Sequence, residues 1–221
     1  MRRRYEDAFE AAAERIAGAE RDTRRRLVEV DGEEENFSAK FMSLFEERLD
    51  GFEDGGVSWR VATYLTKKQS GQETALGADM LIAIRMLLDS EVIAKGFLVQ
   101  AKVNHRPYYG LAVDSRSRLN GQCRAMIKHT DESYVFAYGQ QGTKVLKAGT
   151  LLTAGSNLSE IPSKTVGGFF GDVFHCWAGT HSIDARSTRE LRELAREYEA
   201  RSALLIAGVS SEVSDRSLIE G

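Results

Sequence analysis

The hydrophobic pattern at the start of the chain predicts two helices. Apolar side chains recur at helical spacing over residues 4–28 between many charges, which predicts an amphipathic helix with a narrow apolar stripe. A second helix follows Gly32, because Phe37, Phe41 and Phe45 lie on one face and acidic residues occupy its first turn. We expect the first helix to pack on the rest of the domain or on a second subunit.

The pattern then becomes extended. Residues 57–65, 79–87 and 96–103 are rich in apolar and β-branched side chains and predict three strands. Helical spacing returns over residues 115–130, and residues 133–138 predict another strand. The order helix, three strands, helix, strand predicts an α/β (α+β) fold with a central mixed sheet flanked by helices.

The last third of the chain predicts further strands and helices. These are a short strand at 143–146, a helix at 167–177, a helix opened by the capping box of Ser187 and Glu190, and a strand at 203–209. We expect one domain over residues 1–221. Its predicted parts are an N-terminal helix at 1–31, a core at 32–138 and a C-terminal helical and strand elaboration at 139–221.

Length and composition agree with a globular domain. The chain has 221 residues, of which 42% are hydrophobic and 29% charged. No apolar run approaches the roughly 18 residues of a membrane helix, and the first residues lack a secretory signal. The two cysteines, Cys123 and Cys176, lack zinc-ligand spacing. We therefore expect a cytoplasmic protein with reduced thiols and no membrane contact.

Charge is unevenly distributed along the chain. The formal net charge is −3, yet residues 57–150 carry 13 Lys and Arg against 7 Asp and Glu. A basic middle segment can hold phosphate groups. A scatter of solvated charges explains the same count equally well.

Three polar side chains interrupt the apolar strands. Asp79 begins the second predicted strand, and Gln100 and Lys102 lie two positions apart on the third, so these two project to one face. If the two strands pair antiparallel, Asp79 lies beside them. An aspartate and an amide oxygen can bind Mg²⁺, and a nearby ammonium can orient water or stabilise charge during phosphodiester cleavage.

Asp79 and the Gln100-x-Lys102 pair, in this order of elements, resemble the PD-(D/E)XK restriction-endonuclease-like fold in its Gln-x-Lys, Mrr-like form. The resemblance covers residues 32–138. It implies a nuclease that uses Mg²⁺, with Mn²⁺ as an alternative. It also implies that Glu34 or Glu35 completes the metal site of Asp79 and Gln100. Gln122, on the helix after the third strand, matches a polar residue that reaches the site.

Two departures from the family pattern affect this expectation. Ala78 stands where the family has proline, which changes little. Gln100 replaces the second acidic residue and removes a negative charge, so we expect weaker metal binding that depends more on Glu34 or Glu35. Structural roles also explain the motif residues: Lys102 could protect a sheet edge, Asp79 could cap a turn, and the glutamates could simply favour a helix start.

The resemblance implies an endonuclease, with DNA favoured over RNA, of the kind that serves in restriction or phage defence. It further implies a homodimer and an activating ligand or partner protein. The alternative is a non-catalytic member of the same fold that binds nucleic acid or serves as an assembly subunit. A third interpretation is an interaction protein that dimerises through its first helix, with the motif coincidental.

Overall fold

The computed structural model describes residues 2–27, 34–65, 78–103, 113–139, 141–154 and 161–213. The helices are α1 (Glu6–Leu27, after the 3₁₀ turn Arg2–Tyr5), α2 (Glu34–Leu49), α3 (Val113–His129), α4 (Ala148–Thr153), α5 (Val166–Phe174) and α6 (Thr188–Glu197). The strands are β1 (Glu53–Asp54), β2 (Val57–Leu65), β3 (Met80–Leu88), β4 (Glu91–Val103), β5 (Ser133–Tyr138), β6 (Lys144–Lys147), β7 (Lys164–Thr165) and β8 (Ser202–Ser210).

The eight strands form one mixed sheet in the order β1-β2-β8-β3-β4-β5-β6-β7. β8 runs parallel to β3, and β4 runs parallel to β5. The remaining neighbours pair antiparallel. The predicted α+β class with a mixed sheet flanked by helices is therefore confirmed.

Helices cover both faces of the sheet because the central strands are apolar on both sides. One face, here called the α1 face, carries Met80 and Ile82 and packs against α1, α2 and α5. The opposite face, here called the α3 face, carries Leu81 and Ala83 and packs against α3, α4 and α6. Successive residues of β3 thus alternate between two separate cores.

The first helix packs on its own domain. Ala8, Phe9, Ala12 and Ile16 of α1 are buried in the core of the α1 face. Further along the helix, the buried Glu20 carboxylate accepts hydrogen bonds from the Thr143 backbone N–H at 3.0 Å and its hydroxyl at 2.8 Å. α1 is therefore joined to the core by apolar contacts and to the segment before β6 by polar ones.

Most predicted elements are present, with shifted ends. β4 begins at Glu91, five residues before the prediction, because it pairs with Leu88 of β3 directly after the two-residue turn of Asp89 and Ser90. Lys95 interrupts the apolar pattern of this first part, and its buried ammonium donates to the Val173 carbonyl. α5 ends at Phe174, short of the predicted 177, since Cys176 has a φ of 64°. The apolar pattern does not predict the short α4.

β8 occupies a position that the order of strands along the chain does not predict. It lies between β2 and β3 and is buried along its whole length. The segment 139–221 thus contributes a central strand as well as peripheral elements. The division of residues 1–221 into helix, core and elaboration stays a prediction.

None of the described helices combines the length and the apolar content that a bilayer crossing requires.

Gly96 tests the packing of β4. A Cβ atom at this position would lie 2.3 Å from Ile183 Cγ2 and 2.5 Å from the Ile82 carbonyl oxygen. We expect Gly96→Ala to lower the free energy of unfolding by about 2–4 kcal/mol, measured by urea denaturation. Gly121→Ala is the matched control, because its Cβ on α3 meets nothing within 4 Å. The control should be stabilised by about 0.5–1 kcal/mol, and equal effects would contradict the packing argument.

Candidate functional site

Asp79 lies where three strands meet. Its backbone N–H donates to the Val99 carbonyl of β4 at 2.9 Å. Its carbonyl oxygen accepts from both the backbone N–H and the hydroxyl of Ser202, at 3.0 and 2.9 Å. The backbone of Asp79 is thus held by β4 on one side and by β8 on the other.

The Asp79 carboxylate extends the pairing of β3 and β4. Residue pairing of the two strands starts at Met80 opposite Val99, so β4 continues past the start of β3. In this region Asp79 Oδ2 accepts from the Ala101 backbone N–H at 2.9 Å. The side chain therefore supplies an acceptor to a backbone N–H of β4 that lies beyond the described pairing with β3. It is 12% exposed.

Gln100 contacts the same carboxylate. Its amide nitrogen donates to Asp79 Oδ2 and to the Ala101 carbonyl, the latter at 3.0 Å. The residue is 1% exposed, and its Oε1 atom is buried without a hydrogen-bond partner among the described residues. Native proteins rarely leave a buried amide oxygen unsatisfied, so the unpartnered Oε1 is a candidate ligand atom.

Lys102 projects to the α3 face, as Gln100 does. The two residues alternate with Val99 and Ala101, which belong to the core of the α1 face. On one side Lys102 pairs with Ala137 of β5. Its positive charge opposes the rise in the pKa of the Cys123 thiol on α3, in agreement with this placement. On the β3 side the described pairing ends at Val99, so Lys102 lies beyond it, and the alternative role at a sheet edge stays a prediction.

Gln122 lies on α3, the helix that covers this face of the sheet. It is partly buried, and its amide oxygen has no hydrogen-bond partner among the residues that the structure describes. Its neighbour Cys123 is fully buried in the core of the α3 face. The predicted position of Gln122, on the helix after the third predicted strand, is confirmed, and its role in the site stays a prediction.

Glu34 and Glu35 begin α2, of which only the backbone is described at these two positions. α2 packs on the α1 face, where Phe37 stacks on Tyr138 at the end of β5 with ring centroids 3.8 Å apart. The helix therefore starts near the same end of the sheet as the site, on the opposite face. The predicted choice between the two glutamates lies outside the described side chains.

Arg201 is a site residue that the sequence pattern does not predict. Its guanidinium lies 3.5 Å from Asp79 Oδ1, and its side chain is 40% exposed. It directly precedes β8, so only the insertion of β8 beside β3 brings it to Asp79. Nothing in the local spacing around Arg201 marks it as a functional residue.

The donor set can be compared with the needs of a hard divalent cation. The described residues contain no group of three or more His, Cys, Asp and Glu side chains that could hold a metal. Asp79 and Gln100 nevertheless supply one carboxylate and one buried, unpartnered amide oxygen. Mg²⁺ commonly uses one or two carboxylates and keeps several waters, so this set fits such an ion.

Comparison with known proteins identifies no relative of this chain. No protein-family model, curated protein or solved structure matches this chain. The resemblance to PD-(D/E)XK nucleases therefore depends on Asp79, Gln100 and Lys102 and on the order of the elements that carry them.

The Asp79 carboxylate should also stabilise the fold. Asp79→Ala leaves the buried Ala101 N–H without its acceptor and removes one of the two acceptors of the Gln100 amide, so we expect a loss of about 2–4 kcal/mol of unfolding free energy. Asp79→Asn keeps one acceptor oxygen and should lose about 1 kcal/mol. Urea denaturation of both variants measures the difference. An alanine variant as stable as the asparagine variant would contradict the assigned hydrogen bonds.

Cys123 should resist alkylation. Burial raises the pKa of the Cys123 thiol to about 11, although the positive charges of Arg116 and Lys102 oppose the rise. Because the thiolate is the reactive form, iodoacetamide at pH 8 should label the partly buried Cys176 and spare Cys123 in the folded protein. The neutral Cys123 thiol stabilises the fold below the ordinary thiol pKa, and this contribution is lost as the pH rises toward 11. Equal labelling of both cysteines, read by peptide mass spectrometry, would refute the assignment.

Proposed function

We propose that this protein is a divalent-cation-dependent endonuclease with a restriction-endonuclease-like core. The observation that carries the proposal is the contact of the Gln100 amide with the Asp79 carboxylate, with Lys102 on the same face of the sheet. These polar groups lie at one end of an otherwise apolar pair of strands. A fold that needed only packing there would not require them.

Asp79 Oδ1 and Gln100 Oε1 are the atoms that would hold Mg²⁺ or Mn²⁺. Glu34 and Glu35 begin α2, which packs on the opposite face of the sheet, so the proposed site does not depend on them. The bound cation supplies charge stabilisation and lowers the pKa of water. Gln100 would hold the cation through Oε1 while its nitrogen keeps the hydrogen bond to Asp79. The neutral amide predicts a weaker cation site than two carboxylates would form.

Lys102 is the residue that would act on the reacting groups. Its ammonium can hold the attacking water or stabilise negative charge on the phosphoryl oxygens as water bonds to phosphorus and the phosphorus–oxygen ester bond breaks. Gln122 of α3 would support this arrangement from the covering helix. Arg201 adds a second cation beside Asp79, which favours a phosphate-containing substrate.

The proposed substrate is DNA in preference to RNA, held by the basic segment of residues 57–150. A homodimer would address both strands of a duplex. A role in restriction or phage defence, with an activating ligand or partner protein, completes the proposal. These points rest on the family resemblance alone.

A second candidate function is a non-catalytic member of the same fold. One observation favours it: Asp79 Oδ2 accepts two hydrogen bonds, and Oδ1 lies against Arg201. A carboxylate used in this way can be a purely structural clamp between β3, β4 and β8. Such a protein would bind nucleic acid or join an assembly without cutting.

Plasmid cleavage tests the nuclease. We expect the purified protein to nick or linearise supercoiled DNA with Mg²⁺ and to be inactive with EDTA. Lys102→Ala and Asp79→Asn should each lower the cleavage rate at least about 100-fold, the size expected for loss of general acid–base or electrostatic catalysis. Agarose gels of a time course give the rates.

Lys128→Ala is the matched control for Lys102→Ala, because it removes a lysine from the exposed last turn of α3. The control should cut at the rate of the unchanged protein. DNA binding without cleavage by the unchanged protein, under every divalent cation tried, would favour the non-catalytic candidate. Equal loss of cleavage in both lysine variants would remove Lys102 from the proposed site.

A further inference from the structure

We propose that Arg201 is a resident counter-ion of Asp79 that a divalent cation must displace in order to bind. This inference rests on the proposed function and assigns a regulatory role within that site. The Arg201 guanidinium lies 3.5 Å from Asp79 Oδ1. The Arg201 guanidinium and a divalent cation from solution would thus compete for Asp79 Oδ1.

The hydrogen bonds of Asp79 make Oδ1 the contested atom. Oδ2 already accepts from the Ala101 N–H and the Gln100 amide. These donors are buried and belong to the sheet, so Oδ2 cannot leave them without disrupting β4. A cation that uses Asp79 must therefore approach Oδ1, where the guanidinium now lies.

The backbone of Arg201 is fixed while its side chain can move. The next residue, Ser202, donates two hydrogen bonds to the Asp79 carbonyl, so the start of β8 stays beside Asp79. The Arg201 side chain is 40% exposed, against 12% for Asp79. A long arginine side chain of this exposure can swing toward solvent or toward a substrate phosphate without moving the strand.

The effect of the Arg201 charge on cation affinity can be estimated. An ion pair between partly exposed charges contributes modestly, and the burial of Asp79 places this pair at the upper end of that range. Removing the guanidinium should therefore tighten cation binding about five- to tenfold. A displaced guanidinium next to the cation can then contact a phosphate oxygen, which couples cation binding to substrate binding.

Binding of Mn²⁺, followed by the electron paramagnetic resonance of the free ion, tests the inference without a cleavage assay. We expect Arg201→Gln to bind Mn²⁺ about five- to tenfold more tightly than the unchanged protein, and Arg201→Lys to fall between them. Asp79→Asn should lose binding. Arg189→Gln is the charge-matched control, because Arg189 is 87% exposed on α6, and its affinity should stay unchanged.

A second measurement uses the unchanged protein and does not depend on the folding of a variant. The Nε–H resonance of Arg201, assigned by its loss in Arg201→Lys, should shift when Mg²⁺ is added. Unchanged Mn²⁺ affinity in Arg201→Gln, or an unshifted resonance in protein that binds Mg²⁺, would overturn the inference and leave the nuclease proposal standing. Absence of Mn²⁺ binding to both the unchanged protein and Arg201→Gln would remove the proposed cation site itself.

Discussion

The insertion of β8 between β2 and β3 is the constraint on which the rest of the structure depends. All nine of its residues are buried, and it pairs antiparallel with β2 and parallel with β3. Gly208 permits the close approach of Trp59, since a Cβ there would lie 3.0 Å from the indole ring. Without β8, the edge of β3 would lose its partner and the two halves of the sheet would separate.

The candidate site depends on the same strand. Ser202, the first residue of β8, fixes the Asp79 carbonyl, and Arg201 reaches the Asp79 carboxylate from the preceding position. β4 holds the opposite side of Asp79 through the Val99 carbonyl and the Ala101 N–H. The candidate site is therefore built at a junction of strands that cannot shift independently, which is the rigidity that a preorganised site requires.

Local pattern predicts much of this fold and only part of the site. The periodicity that identifies β3, α3 and β5 is a property of neighbouring residues, and it also explains why Gln100 and Lys102 share a face. The antiparallel pairing that brings Asp79 to Gln100 follows from two adjacent strands. The position of β8 in the sheet depends on which distant strands it pairs with, and no local pattern contains that information. The contact of Arg201 with Asp79 therefore could not be predicted from the sequence. The pattern also does not predict the start of β4, because a lysine there indicates an exposed position. Lys95 is buried only because its ammonium donates to a carbonyl of α5, which is distant in the sequence.

The amide of Gln100 lowers the electrostatic cost of burying the Asp79 carboxylate beside it. A glutamate there would place two carboxylates in contact inside a buried region, and their repulsion would make the cation-free fold costly. Gln100 instead donates to Asp79, and Arg201 balances the remaining charge, so the site is electrically satisfied by the protein alone. In the proposed nuclease the same two features would weaken cation binding. The residues that hold the strands together would then also form the proposed cation site, and displacement of Arg201 from Asp79 would decide when that site becomes competent.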